Sequence, residues 1–385
     1  MTESDVPAVV LAAGEGRRLE PLTNRRPKPM VPVANRPILE HVLESVVDAG
    51  IDRIVLVVGY QQERIRNYFG DGDDWGVNIE YVEQASQLGT AHAIEQARER
   101  VDGPFVVLNG DQIVDADLVE RVRDELLATG EPVLSVTRSE SASEYGIVTL
   151  EGETVTEIEE KPQVSTTAEL INAGVYGFEP SIFDAIGETP TRDGELAITT
   201  TLEGLVEEES MRAVRYGGRW LDVSHLWDLL DVNAAQVDQD GGSSGRELAP
   251  SDSVLGQDVS TGPNATIGGA TAIGDNVTIE ANAVVSNAVV LPDAVVEAGA
   301  VVRNSIVGEN ARVGANATLT GDGATMVVDG EVHEGIALGA VVGDNAVVGA
   351  GVTAEPGTVL GDGAVVDAGA TVGGRIEPDA VVRRG

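Results

Sequence analysis

Apolar and polar positions change rhythm along the chain. After a polar start, Val9–Ala12 is a short apolar run of strand length. From Pro37 to Ala49, the residues Leu39, Val42, Val46 and Ala49 recur at helical spacing, and Gly50 closes the segment. Ile54–Val58 is again continuously apolar. The pattern then predicts a helix over Gln61–Phe69, a strand over Ile79–Val82, a helix over Thr90–Arg100 and a strand over Phe105–Leu108. Such alternation predicts an α/β domain whose mixed, mainly parallel sheet is covered on both faces. From Val133 the pattern is mixed, with strands near Ile147, Val155 and Val175. Helices are predicted near Ile182, near Thr200 and over His225–Val237.

A second rhythm begins after a polar, glycine-rich stretch from Gln239 to Ser253, which reads as a flexible linker. Ile267, Ile273, Ile279, Val285 and Leu291 fall six residues apart. After a one-residue slip, Val307, Val313 and Leu319 resume the spacing, and Val342, Val348, Ala354, Leu360, Val366 and Val372 continue it. Glycine, asparagine or aspartate fills many positions between. One small aliphatic every six residues predicts a hexapeptide β-helix, whose stacked aliphatics fill the axis. Gly321–Ala340 breaks the rhythm and is expected to be an external loop. The expected organisation is an α/β domain over residues 1–238, a linker over 239–253 and a β-helix over 254–385.

Composition narrows the partners. The formal net charge of -39 argues against nucleic acid bound through a basic surface. Spread along the chain, this acidity reads as a solvated surface suited to a salt-rich interior, where salt screens self-repulsion. The absence of cysteine excludes disulfides, thiolate nucleophiles and cysteine-bound metal. No apolar run reaches the length of a membrane span, and Met1–Asp5 is too acidic for a secretory signal. The expected location is the cytoplasm, without membrane partners. Only two lysines occur, Lys28 and Lys161, against 23 arginines. Lysine retained where arginine is otherwise used points to tight phosphate sites, where a compact ammonium and a planar fork differ most.

Lys28 lies in the segment that carries the chemistry. The first strand runs into Leu11-Ala12-Ala13-Gly14-Glu15-Gly16-Arg17-Arg18-Leu19, small residues that let backbone amides approach an anion. No Gly-Lys-Ser/Thr follows, so this is not a Walker loop, and the third glycine of a dinucleotide fingerprint is missing. The chain continues into Arg26-Pro27-Lys28-Pro29-Met30-Val31-Pro32-Val33, a proline-stiffened stretch presenting one lysine. Asp111 follows an apolar strand and a glycine, where open α/β sheets bind ligands. Asp222 follows Trp220-Leu221 in a similar setting. The other reading of either aspartate is a cap on the next helix.

This stretch resembles the signature of the sugar-phosphate nucleotidyltransferase family, which includes glucose-1-phosphate thymidylyltransferases and N-acetylglucosamine-1-phosphate uridylyltransferases. The resemblance runs to about Asn233. It carries Gln84-Ala-Ser-Gln87-Leu-Gly89-Thr90, Asn109-Gly110-Asp111, Tyr145-Gly146, Glu159-Glu160-Lys161-Pro162, Asn172-Ala-Gly174 and Trp220-Leu221-Asp222-Val223 in the family's order. It implies a Rossmann-like domain that transfers a nucleoside monophosphate from UTP or dTTP to a hexose 1-phosphate, glucose 1-phosphate or N-acetylglucosamine 1-phosphate. It implies that Ala12, Ala13, Gly14 and Gly16 hold the triphosphate, that Arg18 neutralises the leaving pyrophosphate and that Lys28 binds phosphates at the reacting centre. Gln84, Gly89 and Thr90 then bind the nucleotide. Gly146, Glu160, Lys161, Asn172 and Gly174 hold the sugar phosphate. Asp111 and Asp222 bind Mg²⁺, a hard ion that takes carboxylate and phosphate oxygens. Arg17 is expected to be a solvated or supporting charge.

The repeat resembles the left-handed β-helix of hexapeptide acyltransferases, which implies a homo-oligomer, a trimer or a multiple of one. Relatives with both parts include bifunctional enzymes that acetylate glucosamine 1-phosphate with acetyl-CoA. That chemistry needs a general base and cations for CoA. The repeat half offers only His333, read as an exposed loop residue, and its loop has no lysine or arginine. His41 and His92 are expected to be structural, and His225 to support Asp222. A third reading is a catalytically silent regulatory subunit. Intact Arg18, Lys28, Asp111, Lys161 and Asp222 argue against it.

Overall fold

The computed structural model describes residues 6–139, 142–160, 169–192, 194–208, 210–241 and 252–384. The chain forms two compact units. One comprises Met1–Glu15, Pro27–Met30 and Ile38–Asp222; the other comprises Gly16–Arg26, Val31–Pro37 and Val223–Gly385. Chain order therefore does not separate them: the second unit takes two segments from the N-terminal signature. The expected linker over 239–253 lies outside the described residues from 242 to 251. Its first residues close the helix Asp228–Gly241, and Ser253 opens a strand.

The first unit is built on a nine-stranded sheet: β1 (Ala8–Ala12), β2 (Arg53–Val58), β3 (Asn78–Glu83), β4 (Phe105–Asn109), β5 (Val133–Ser139), β6 (Gly146–Glu151), β7 (Thr154–Glu160), β8 (Glu169–Phe178) and β9 (Arg212–Arg215). Their order is β3-β2-β1-β4-β8-β5-β9-β7-β6. The strands β1 to β4 are mutually parallel, with Leu11 beside both Val57 and Asn109. β8 enters antiparallel between β4 and β5, and the far half of the sheet is mixed. Val9, Val55, Val57, Phe105, Val107 and Phe178 share one buried cluster. The helix Ile38–Asp48 buries Leu39, Val42 and Val46, as its spacing requires. The predicted helix over Thr90–Arg100 is instead an α-helix over Thr90–Glu95 and a separate tight turn over Arg98–Arg100. There Arg98 binds Glu95 and the Phe183 carbonyl. No helix among the described residues is long and apolar enough to cross a membrane.

The second unit contains a parallel β-helix with three walls. On the first, Ile273, Val290, Val307, Val342, Leu360 and Ile376 stack coil on coil. On the second the stack is Ile279, Val296, Val313, Val348, Val366 and Val382. On the third it is Ile267, Val285, Val302, Leu319, Ala354 and Val372. Thus Val290, not Leu291, belongs to the stack, and two five-residue steps, Val285 to Val290 and Val302 to Val307, stand where the sequence suggested one slip after Leu291. Asn276, Asn282, Asn310, Asn316 and Asn345 take positive φ, between 55° and 59°, at the corners, a conformation that asparagine tolerates better than most residues.

The structure refines two sequence expectations in this unit. The interruption, expected as an external loop, is specifically a β-hairpin, pairing Ala324–Val328 with Glu331–Ile336. Asp329-Gly330 turns it, both with positive φ, which is the chemistry of a two-residue hairpin. His333 is half-buried rather than exposed. Its ring lies 5.0 Å from His225 and 5.1 Å from Trp227, and His225 stacks on Trp227 at 4.4 Å. His225 is thus an aromatic packing partner, and its ring nitrogen also contacts Asp228 at 3.2 Å. The predicted helix over His225–Val237 starts only at Asp228, whose carboxylate accepts the Ser224 and His225 amides and turns the chain first.

Candidate active site

The parallel strands β1, β2 and β4 bring their C-terminal ends to one edge, the position from which open α/β sheets present ligand-binding residues. β1 is buried, so Ala12 and Ala13 leave the sheet from a fixed point. A side chain on Gly59 would press on the Ala13 methyl at 3.1 Å and the Gln84 carbonyl at 3.2 Å, which keeps this edge close-packed. Gln87 donates to the Ala13 carbonyl at 2.8 Å. At Gly14 a Cβ would meet nothing within 4 Å, so its backbone is open to an incoming group.

Gln84 is buried, and its Nε2 donates to the Gly89 carbonyl at 3.1 Å and lies 2.9 Å from His92 Nδ1. Gly89 takes φ of +102°, and a side chain there would strike the Leu196 carbonyl at 2.5 Å. Thr90 opens its helix, and its hydroxyl accepts the Ile198 amide at 2.9 Å. His92 was expected to be structural; it also fixes Gln84. The sequence held no separate signal for that contact.

β4 ends in Asn109-Gly110-Asp111. The Gly110 amide donates to the Leu11 carbonyl at 2.9 Å, and a Cβ there would lie 2.7 Å from that oxygen. The turn is therefore glycine by necessity, and it sets Asp111 beyond the end of β1. Asp111 Oδ2 lies 2.6 Å from the Lys28 ammonium, with the lysine side chain 15% exposed and the aspartate 30%. The short strand Gln112–Val114 pairs antiparallel with Trp220–Asp222, which puts Asp222 opposite Gln112, one residue from Asp111. The Tyr145 hydroxyl donates to Asp222 Oδ2 at 3.0 Å. Neither aspartate stands directly before a helix: Asp111 precedes a strand and Asp222 ends one, while Asp115 occupies the cap before Ala116–Thr129.

The residues assigned to the sugar phosphate converge from three strands. Gly146 on β6 pairs with Glu160 on β7. A Cβ at Gly146 would lie 3.2 Å from Glu160 Oε2 and 3.9 Å from Asn172 Cβ. Asn172 Oδ1 accepts the Gly174 amide at 2.9 Å, and its Nδ2 donates to the Tyr176 hydroxyl at 2.8 Å. Burial, opposed by that bond and reinforced by the Glu160 charge, pushes the Tyr176 hydroxyl above its ordinary value, so it stays neutral. Gly174 has φ of +75°, and any side chain would collide with Gln112 Oε1 and Asn109 Nδ2. Asn109 in turn donates to Gln112 at 3.0 Å. Trp220 Nε1 holds the Ala173 carbonyl at 2.9 Å. Lys161 lies outside the described residues.

Gly16 and Arg18 belong to the second compact unit. Gly16 has φ of +73°, and Thr23 Oγ1 donates to its carbonyl at 2.8 Å. Arg18 Nε binds Asp329 at the hairpin turn at 2.6 Å. The remaining described candidates, Ala12, Ala13, Gly14, Lys28, Gln84, Gly89, Thr90, Asp111, Gly146, Glu160, Asn172, Gly174 and Asp222, all belong to the first.

The donor set fits a hard divalent cation. Asp111 and Asp222 are carboxylates set one register step apart, and an ammonium already sits against one of them. Among the described residues no cluster of three or more His, Asp or Glu side chains forms a complete cage. An ion such as Mg²⁺ takes one or two carboxylates and completes its shell with substrate phosphates and water, which suits this pair.

Residues 7–239 match the Nucleotidyl transferase family model, and residues 250–360 match the GMPPB C-terminal domain model. The chain is 37% identical over 229 residues to the Bifunctional protein GlmU of Methanococcus maripaludis, covering 59% of this chain and 53% of that protein. It thus spans about half the length of the GlmU relatives it matches. It is 38% identical over 227 residues to the UTP–glucose-1-phosphate uridylyltransferase AglF of Haloferax volcanii, covering 57% of this chain and 92% of that protein. A crystal structure of a UDP-glucose pyrophosphorylase complexed with UDP-glucose superposes with a TM-score of 0.54 at 21% identity, over 61% of this chain and 99% of that one, a likeness of fold. With a family match over more than half its length, laid across the sheet edge that carries Lys28 and Asp111, the chain belongs to the nucleotidyl transferase family.

Proposed function

We propose that the protein transfers a nucleoside monophosphate from UTP or dTTP to a hexose 1-phosphate, glucose 1-phosphate or N-acetylglucosamine 1-phosphate, releasing pyrophosphate. The observation that carries this reading is the Lys28–Asp111 contact at the end of β4, with Asp222 across the adjoining ribbon. Both substrates are polyanions. Most of the work is positioning and charge neutralisation, with little covalent help from the protein.

In this reading the open backbone at Gly14 and the amides toward Gly16 hold the triphosphate, with Ala12 and Ala13 as its rigid base. Lys28 exchanges Asp111 for a phosphate oxygen at the reacting centre, and Arg18 meets the leaving pyrophosphate. Gln84 spends its amide hydrogens on Gly89 and His92, so its carbonyl oxygen is left to accept an N–H of the base. Gly89 lets that base approach the backbone, and Thr90 anchors the turn. Glu160 and Asn172 bind sugar hydroxyls beside Gly146 and Gly174, and Lys161 binds the sugar phosphate. Mg²⁺, when bound, supplies charge neutralisation at the phosphates, and Asp111 and Asp222 are the residues that would hold it. Tyr145 orients Asp222 through its hydroxyl.

The β-helix serves assembly in this reading, as a homo-oligomer, and the acidic surface suits the cytoplasm of a salt-rich cell. Acetyl transfer is not favoured, because His333 packs its ring against His225 and Trp227. The test is pyrophosphate release in high-potassium buffer with Mg²⁺, over UTP, dTTP, ATP, GTP and CTP against several sugar 1-phosphates. Glucosamine 1-phosphate with acetyl-CoA forms a separate arm. Turnover with a pyrimidine triphosphate is expected. Turnover only with acetyl-CoA, or none in folded protein, refutes the reading and favours acyl transfer or a silent subunit respectively.

A further inference from the structure

Two aspartates of the β-helix are buried for no reason internal to the coil. The corner after the first wall repeats as Gly274-Asp275, Gly308-Glu309, Gly343-Asp344 and Gly361-Asp362. At three of these corners one carboxylate oxygen caps an amide of the preceding coil. Asp275 Oδ1 accepts the Gln257 amide at 2.6 Å, Asp344 Oδ1 the Glu309 amide at 2.8 Å, and Asp362 Oδ1 the Asp344 amide at 2.9 Å. Asp275 does this while exposed. The Asp344 side chain is 2% exposed, and Asp362 is also buried.

What covers them is the signature segment Gly16–Arg26, which belongs to the same compact unit. Arg26 Nη2 lies 2.8 Å from Asp344 Oδ2 and 3.0 Å from Glu309 Oε2, and the arginine side chain is 5% exposed. Arg26 Nη1 also donates to the Leu22 carbonyl at 3.3 Å, and Asn24 Nδ2 to Asp362 Oδ2 at 3.1 Å. A buried charge is costly unless paired and hydrogen-bonded, and each of these groups has its partner. The second oxygens of Asp344 and Asp362 are thus used by the segment Gly16–Arg26, whereas Asp275 stays exposed. The same segment carries Gly16 and Arg18, both placed in the second unit with Arg26.

We infer that Arg26, held by Asp344 and Glu309 while Asp362 holds Asn24, is a positioning residue for nucleotide binding, and that the wall of the β-helix sets the pose of the signature segment. This rests on the reading that the segment binds the triphosphate. The experiment uses the full chain, with Asp344→Asn, Arg26→Gln, Arg26→Lys and, as the homologous exposed corner, Asp275→Asn. Asp344→Asn keeps an oxygen for the Glu309 amide, so the coil corner survives. Asp344→Asn and Arg26→Gln are expected to raise KM for the nucleoside triphosphate by about tenfold, since misplacement by a fraction of an ångström is felt at a reacting centre. KM for the sugar phosphate should stay within about twofold, Arg26→Lys should recover part of the loss, and Asp275→Asn should behave as wild type. An unchanged triphosphate KM in Asp344→Asn, or an equal rise in Asp275→Asn, overturns the inference. If the wild type transfers no nucleotide at all, the functional reading falls instead, and amide hydrogen exchange over residues 16–26 decides the clamp. Faster exchange in Asp344→Asn but not in Asp275→Asn supports it, and equal exchange overturns it.

Discussion

Replacing Asp111 by asparagine separates chemistry from stability. The change removes one charge and almost no volume at the end of β4, where the carboxylate lies 2.6 Å from Lys28. Both side chains reach solvent, at 30% and 15% exposure, so the ion pair contributes roughly 0–1 kcal/mol to folding. At the ~2–4 °C per kcal/mol typical of larger domains, the melting temperature should move by no more than about 4 °C. The reaction has more to lose. In the proposed reading Asp111 would hold Mg²⁺ where charge develops, and its removal is expected to cut kcat by at least ~100-fold, about 2.7 kcal/mol of barrier. Pyrophosphate release at saturating substrates measures the first quantity and circular dichroism the second. Chelation of divalent ions should abolish wild-type turnover, with recovery on adding Mg²⁺. A folded Asp111→Asn protein with kcat within about threefold of wild type would refute the placement of this carboxylate at the reacting centre.

Three further outcomes follow from particular residues. Lys28→Arg keeps the charge but puts a planar fork where a compact ammonium sits; turnover should fall by about tenfold or more, and a silent substitution would remove the argument from lysine scarcity. Gly174→Ala imposes a positive φ on alanine and drives its methyl into Gln112 and Asn109; a cost of about 1–3 kcal/mol should appear in thermal unfolding, together with a raised KM for the sugar phosphate. Raising KCl from about 0.1 M to about 2 M should raise the melting temperature, because screening relieves the self-repulsion of a chain carrying -39. A melting temperature indifferent to salt would count against the salt-rich setting.

Much of the fold was legible because its signals are local and periodic. The apolar run Val9–Ala12 became the buried first strand, and the one-in-six aliphatics became the axial stacks. Leu291 was read in place of Val290 because Val289, Val290 and Leu291 are consecutive apolar residues. Only pairing with Ile273 and Val307 identifies Val290 as the axial one. The hairpin was hidden differently. Asp329-Gly330 is a hairpin turn signal, but it sits among many other glycine and aspartate turns of the repeat. The antiparallel entry of β8 between β4 and β5 has no local signature, since long-range pairing decides it. In the candidate site, Lys28 and Asp111 were each legible by motif. Their contact, and that of Gln84 with His92, depend on loops whose course sequence does not give.

The signature segment was the hardest to read, for a physical reason. In a chain with 64 acidic residues, Asp344 and Asp362 look like any other coil corner, and the matching role of Asp275 shows how easily such a corner stays solvated. What distinguishes them is the partner on the second oxygen, an arginine 318 positions away in one case and an asparagine 338 away in the other. Local rules see the first oxygen, because capping a neighbouring coil is a short-range task. The second is visible only once the chain has folded, so a boundary drawn by chain order at residue 238 cuts through contacts that join Gly16–Arg26 to the coil. A truncation at that boundary would strip Arg26 of both carboxylates together with the coil, whereas loss of the Asp344 carboxylate alone would leave a buried guanidinium short of counter-charge. Removing one member of such a pair is far more damaging than the pair is stabilising.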